Sequence, residues 1–402
     1  MNFVQTLRKR SELQPGVPAL IDRCFSRDRV LTYSALNRLA DFLSFELRKK
    51  KVLPGDRVLF GIDAGQEMYG YLLAALQIGA VPILYDQAEP HDEFVAWISA
   101  LGPKACLIPK SGWIGSHFAG ILKKIPIKIF VGQVRSQARW LRLGKLGALE
   151  EQAADSAALM CLVGAASRGL TFRVWSQNQL NESVQFLVTQ LKLKAGEIDL
   201  CNSPLHLLGN LAAGLTSMVA ARFGRSLERQ VEKFKPTRVA AESRLIRRLL
   251  RKSFSPFHRV FIIDAPLEPQ EIDHFSGQMQ HANIELIFYE DLPLASLSLK
   301  EYERKGSATL IGTFFSTVEA RVSTQERTDN AIARPENDPT ASQQTQIGEL
   351  IVRGPFLPKR HTLSDLPTEN PLLRGSSNGD WCPTGAFGYF DHQARFWLTE
   401  RR

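Results

Sequence analysis

Hydrophobic positions recur along this chain with two different periods, and the alternation between them predicts its elements. Leu36, Leu39, Ala40, Leu43 and Leu47 fall at three- and four-residue spacing. After a short β-like start, the stretch from Thr32 to Lys51 therefore predicts a helix with one apolar face. Pro54-Gly55-Asp56 reads as a turn and residues 57–62 as a buried strand. Met68, Tyr71, Leu72, Ala75 and Leu76 mark a second helical stripe, which ends at Gly79, a residue able to take the positive φ of a helix C-cap. Short apolar runs at 81–84, 105–108, 127–131, 159–163, 260–263 and 285–289 predict further strands. Strand and helix in alternation predict an α/β fold with a largely parallel sheet, built as two sheet-and-helix lobes. Residues 323–346 break this pattern: they are rich in Thr, Asn, Asp, Gln and Pro and predict an exposed loop or linker. A strand at 348–354 and a hairpin at 388–398 then predict a small β-rich piece. The expected partition is 1–322, 323–346 and 347–402.

Composition changes this picture little. The 402 residues are 44% hydrophobic and 23% charged, ordinary for a globular protein. No apolar run approaches a membrane span, and the start, Met1–Arg10, is polar and basic with no apolar stretch behind it. Five scattered cysteines, never at metal-ligand spacing, read as reduced thiols and point to a cytoplasmic location. The net charge of +9 permits anionic partners without choosing among them. Part of the excess is local: Arg244, Arg247, Arg248, Arg251 and Lys252 surround Leu245, Ile246, Leu249 and Leu250. That pattern reads as an amphipathic surface helix with its stripe in the core, the alternative being a patch peripheral to a membrane. Nothing indicates specific nucleic-acid binding.

Six stretches carry a family resemblance through their order and spacing. They are LTYSALNRLADFLSFELRKKKVLPGDRV with YGYLLAALQIGAVPIL, then SPLHLLGN, HRVFIIDAPL, FYEDLPLASLSL, IGELIVRGP and WCPTGAFGYFDHQARFWLTERR. Together they resemble the large N-terminal domain of the adenylate-forming superfamily, which includes acyl-CoA synthetases, luciferases and peptide-synthetase adenylation domains. EDLPLASLSL and FDHQARFWL look most like the branch acting on β-hydroxy fatty acids in olefin synthesis, the β-lactone synthetases. The resemblance implies ATP and Mg²⁺ as cofactors and a fatty acyl or β-hydroxy acyl substrate. It also implies, beyond the hinge, a small domain that supplies an adenylating lysine. This sequence ends at Arg402, where that hinge falls.

Site residues carried over by resemblance depart from the family pattern. The phosphate loop matches 163–172, where only Ser167 keeps a hydroxyl, Arg168 replaces a glycine, Thr171 stands at the lysine and Phe172 at the closing glycine. Small residues there let backbone N–H groups approach an anion, so the substitutions imply a damaged loop. Asp264 replaces the glycine before Ala265-Pro266 on the adenine side. Glu290 keeps the position of the Mg²⁺ ligand, beside Asp291. The family's ribose-gripping Asp, which accepts two hydroxyl protons, is Ala386 in Thr384-Gly385-Ala386. The hinge arginine is Arg401. His206, among leucines and glycine, reads as a core or loop residue rather than a catalyst. Ala165-Ala166-Ser167-Arg168-Gly169 loosely resembles a nucleophile elbow, but the β-branched, aromatic run 171–175 predicts a strand where an elbow needs a helix.

Three functions are expected from these readings. The first is a pseudoenzyme that binds an acyl ligand, a partner synthetase or another lipid-pathway enzyme. The second is an active ligase in which Arg168 serves the phosphates, Glu290 the metal and a separate protein the small domain. The third is a lipid-surface scaffold using the basic helix.

Overall fold

The computed structural model describes residues 2–24, 27–85, 93–110, 118–132, 147–165, 169–221, 224–249, 256–263, 267–289, 292–323, 347–361 and 381–401. These form two compact units. One comprises residues 1–234 with 356–377, the other 235–355 with 378–402.

The first unit opens with α1 (Val4–Leu13), the hairpin β1 (Pro18–Cys24) and β2 (Arg27–Thr32), and α2 (Tyr33–Lys49). The helix α2 forms where periodicity placed it, because Thr32 caps it by accepting the Ala35 N–H at 3.2 Å. Its predicted stripe, Leu36, Leu39, Ala40, Leu43 and Leu47, is 0–3% exposed. After β3 (Arg57–Phe60) comes α3 (Gln66–Gln77), stopped at Gly79, whose φ is +72°. The chain continues through β4 (Val81–Tyr85), α4 (Glu93–Leu101), β5 (Ala105–Pro109), α5 (Phe118–Lys124), β6 (Ile127–Val131), β7 (Ala157–Ala165) and β8 (Gly169–Ser176). It ends with α6 (Gln177–Gln190), β9 (Ile198–Leu200), α7 (Pro204–Ala213), β10 (Thr216–Met218), α8 (Gly224–Phe234) and, later in the chain, β19 (Lys359–His361).

Seven of these strands form one sheet in the order β19-β8-β7-β4-β3-β5-β6. The strands linked by helical crossovers, β3 to β6, are parallel, whereas the directly connected β7 and β8 are antiparallel. β4 also pairs with β7 in parallel, so this sheet is largely parallel with an antiparallel end at β7, β8 and β19. Trp97 on α4 meets Phe172 on β8 edge-on at 5.0 Å, inside a core that includes Leu59, Ile83, Leu101 and Met160. In the same unit β9, β10 and β1 pair in parallel and β2 adds antiparallel to β1.

The second unit holds β11 (Arg238–Ala241), α9 (Ser243–Leu249), β12 (Arg259–Ile262), α10 (Pro269–Gln278), β13 (Asn283–Tyr289), β14 (Pro293–Ser298), β15 (Arg304–Lys305) and β16 (Ala308–Phe314). It also holds β17 (Glu319–Ser323), β18 (Gly348–Arg353), β20 (Cys382–Phe390) and β21 (Phe396–Arg401). Its strands order as β17-β18-β20-β21-β16-β14-β13-β12-β11. Only β11, β12 and β13, joined through helices, are parallel; hairpins make the remainder antiparallel. β17 and β18 pair across residues 324–346, which lie outside the described residues, as does the basic run 135–146.

Candidate functional site

Within β20, Thr384-Gly385-Ala386 is a tied kink rather than open strand. Gly385 has φ +78°, which a side chain would oppose. Its N–H donates to Glu349 Oε1 at 3.0 Å. Thr384 Oγ1 donates to the Leu350 carbonyl at 2.9 Å and accepts the Ala386 N–H at 3.1 Å. Ala386 is 0% exposed and Thr384 5%. The Thr384 hydroxyl and the N–H groups of Gly385 and Ala386 are thus engaged inside the chain, and the third residue contributes a methyl group. Directly across the ladder from Ala386 lies Arg401, so the two positions assigned to ribose and hinge are backbone partners. The sequence did not reveal Glu349 as the partner of this kink; its place in IGELIVRGP, one of the resembling stretches, was the available signal.

The turn beyond this kink fixes the hairpin. Asp391 accepts the N–H groups of Gln393 and Arg395 at 2.9 Å each, the Arg395 guanidinium at 2.8 Å and the Trp397 indole N–H at 3.0 Å. Burial would raise this carboxyl, but the indole, backbone and guanidinium donors together bring it down to about 2. Tyr389 stacks on Trp397 with ring centroids 6.3 Å apart.

The predicted phosphate loop joins β7 to β8. Val163 pairs with Thr171 and Ala165 with Gly169, so Thr171 sits within a continuous antiparallel ladder. β8 starts at Gly169, and strand rather than helix follows Ser167, which removes the nucleophile elbow. Ser167 and Arg168 lie outside the described residues, as do Asp264, Ala265, Pro266, Glu290 and Asp291. Among the described residues no group of three His, Cys, Asp or Glu side chains is placed to hold a metal ion.

The segment SPLHLLGN folds as α7. Ser203 caps it, Pro204 occupies the first turn, and Gly214 closes it in the left-handed conformation. His206 is 2% exposed, as expected of a core residue. Asn210 ties this helix to the strands beneath it, donating to Asp199 Oδ2 at 2.9 Å, Ser217 Oγ at 3.1 Å and Cys201 Sγ at 3.4 Å. Burial pushes the Cys106 thiol up to about 11 and the Cys161 thiol up to about 12, so neither is a thiolate at neutral pH. In α9 Ile246 and Leu249 are buried, and Arg247 pairs with Glu271 at 3.3 Å. Leu245 is half-buried, and Leu250, Arg251 and Lys252 lie outside the described residues. No helix among the described residues is long and apolar enough to cross a membrane.

Comparison with known proteins bears on this geometry at two levels. Residues 7–164 match the family described as AMP-binding enzyme. The olefin β-lactone synthetase of Stenotrophomonas maltophilia is 22% identical over 421 residues, covering 93% of this chain and 73% of that protein. Among solved structures, a long-chain-fatty-acid-CoA ligase from Archaeoglobus fulgidus superposes with a TM-score of 0.77 at 16% identity, covering 100% of this chain and 84% of that one. The o-succinylbenzoate CoA synthetase of Bacillus subtilis, in complex with AMP, gives 0.75 at 16% identity, covering 99% of this chain and 98% of that one. The fold is that of an adenylate-forming large domain, as the sequence resemblance implied.

Proposed function

We propose, on the premise that this chain is a member of the adenylate-forming superfamily, that it is a catalytically impaired relative of fatty acyl-adenylating enzymes. In this reading it binds an acyl ligand or a partner synthetase without making an acyl-adenylate. The observation that carries the reading is Ala386: a fully buried methyl stands where the resemblance implies a ribose-gripping carboxylate. The N–H groups of Gly385 and Ala386 donate within the chain, and as donors they could not accept the protons of a diol as a carboxylate does. These residues do not fit a ribose diol. Two further facts support the reading. The resemblance puts Thr171 at the position of the phosphate lysine, and the match to the AMP-binding family ends at Gly164, within the loop at 163–172.

A hydrogen bond to a charged group contributes about 1.5–3 kcal/mol. Two such losses weaken nucleotide binding by roughly 10²- to 10⁴-fold at about 1.4 kcal/mol per decade. Isothermal titration of the full chain with ATP and Mg²⁺ is expected to give no saturable heat in the micromolar range, while a saturated fatty acid or β-hydroxy fatty acid binds. A micromolar ATP affinity would sink the reading. The likeness to a β-lactone synthetase along most of the chain favours one second reading, an active ligase completed in trans, with Arg168 on the phosphates and Glu290 on Mg²⁺. It requires ATP–pyrophosphate exchange on adding a separate small domain, which the first reading denies.

A further inference from the structure

One of the two outermost strands of the seven-stranded sheet, β6, is built differently from the edges β2 and β17. Its register against β5 runs Ala105↔Ile127 to Pro109↔Val131 in parallel. Ile127 donates its N–H to the Lys104 carbonyl at 3.1 Å, and the Val131 carbonyl accepts from the Lys110 N–H at 2.8 Å. In a parallel ladder alternate residues turn their backbone groups to the same neighbour. Residues 127, 129 and 131 therefore serve β5, and the N–H and C=O groups of Lys128 and Phe130 point to the free edge. Among the described residues no strand pairs with that edge.

The side chains alternate with the same period. Ile129 is 8% exposed, whereas Phe130 is 63% exposed, an unusual place for an aromatic ring on an edge strand. Lys128, Ile129 and Phe130 line a cavity of about 260 Å³ together with Glu46, Leu47, Lys50 and Tyr71. That volume is below the roughly 300–1,000 Å³ of small-molecule pockets and suits a single large side chain.

We propose that β6 pairs with β6 of a second copy of this chain, antiparallel about a two-fold axis at Ile129. The sequence Ile127-Lys128-Ile129-Phe130-Val131 is self-complementary in that arrangement. Lys128 comes opposite Phe130 of the second copy, and the reverse, giving two ammonium-on-ring contacts on the cavity side. Those same residues carry the outward backbone groups, so each Lys–Phe pair exchanges two backbone hydrogen bonds. On the other side Ile129 meets its copy and Ile127 meets Val131, the β-branched pairing that strands favour. The ring of the second copy's Phe130 arrives beside Lys128, at the cavity mouth. Other edges are less suited. On β2, Arg29 is engaged with Asp22 and Glu67, and Asp28 with Arg23 and Lys233. On β17, Glu319 pairs with Arg353, and Arg321 lies 4.1 Å over the Trp381 ring.

Sedimentation velocity of the full chain over a concentration series tests the pairing. A monomer–dimer equilibrium is expected, largely dimeric by about 100 µM, as suits a small interface. Phe130→Lys places like charges opposite each other at both pairs and should weaken association at least tenfold with an unchanged thermal midpoint. The double variant K128E/F130K puts Glu opposite Lys in the same register and should restore the dimer. A wild-type chain that stays monomeric throughout, association indifferent to F130K, or a double variant that fails to recover would each overturn the proposal.

Discussion

Two regions of this molecule use carboxylates for different ends. Near the start, Asp22 on β1, Arg29 on β2 and Glu67 on α3 form a nearly buried ionic triad. Arg29 bonds Glu67 at 2.6 and 2.8 Å and Asp22 through both carboxylate oxygens, and Asp22 also accepts the Gln66 N–H at the α3 N-terminus at 2.9 Å. Burial pushes the Asp22 carboxyl up against the pull of Arg29. Burial would also lower Arg29, but its bonds to Glu67 and Asp22 hold the guanidinium above its ordinary value. At the β20 kink, by contrast, the carboxylate of Glu349 accepts a backbone N–H. The first region retains paired charges that join three elements. The second has a methyl where a ligand-facing charge is implied. The difference teaches that the polar groups which assemble the fold are separate from those that would grip a nucleotide, so one set can change while the other stays.

The sharpest way to break that contrast is at Arg29. Arg29→Met leaves two carboxylates without their cation and should cost about 3 kcal/mol, towards the lower end for a broken buried pair because Arg29 keeps some solvent contact. Chemical denaturation reads this as a lowered midpoint with an unchanged slope; a loss under about 1 kcal/mol would show the triad to be dispensable. A smaller effect is expected from Ala386→Asp. The new carboxylate enters a fully buried position whose neighbouring N–H groups are already taken, at a cost of about 2 kcal/mol. It should bring no ATP affinity by titration. Recovered binding would place the impairment in that one residue and return the rest of the site to function. The smallest effect concerns Asp391. Its folded value near 2 lies below the ordinary carboxylate value, so its stabilisation is complete above about pH 4 and is lost as pH falls towards 2. Asp391→Asn should flatten that part of the stability–pH curve while leaving neutral-pH stability lower by about 1 kcal/mol. An unchanged acid limb would remove the turn from the account of hairpin stability.

The elements that the sequence made legible were those in which local pattern and tertiary burial agree. The α2 stripe, the α3 stop at Gly79, the apolar strands and the buried His206 all reflect groups whose environment follows from their own periodicity. Ala386 was legible for another reason: an alanine side chain accepts no hydrogen bond in any fold, so its identity alone speaks against the ribose contact that the resemblance implies there. The antiparallel turn from β7 to β8 was not legible as topology, because a buried apolar run reads the same whichever way its neighbour points. Nor was Asp391, whose four donors come from a backbone turn and from Arg395 and Trp397 several residues on.

Sequence by itself determined the α/β class and the family resemblance, which implies a carboxylate at 386 and a lysine at 171 where Ala386 and Thr171 stand. These depend on residue identity and spacing. Tertiary structure alone decided that the N–H groups of Gly385 and Ala386 are satisfied, that Ile246 and Leu249 of the leucine–arginine helix are buried, and that Phe130 stands exposed on an edge which no strand among the described residues pairs with. Those are properties of neighbours brought together from distant parts of the chain, and hydrogen bonding and burial belong to pairs of groups rather than to single residues.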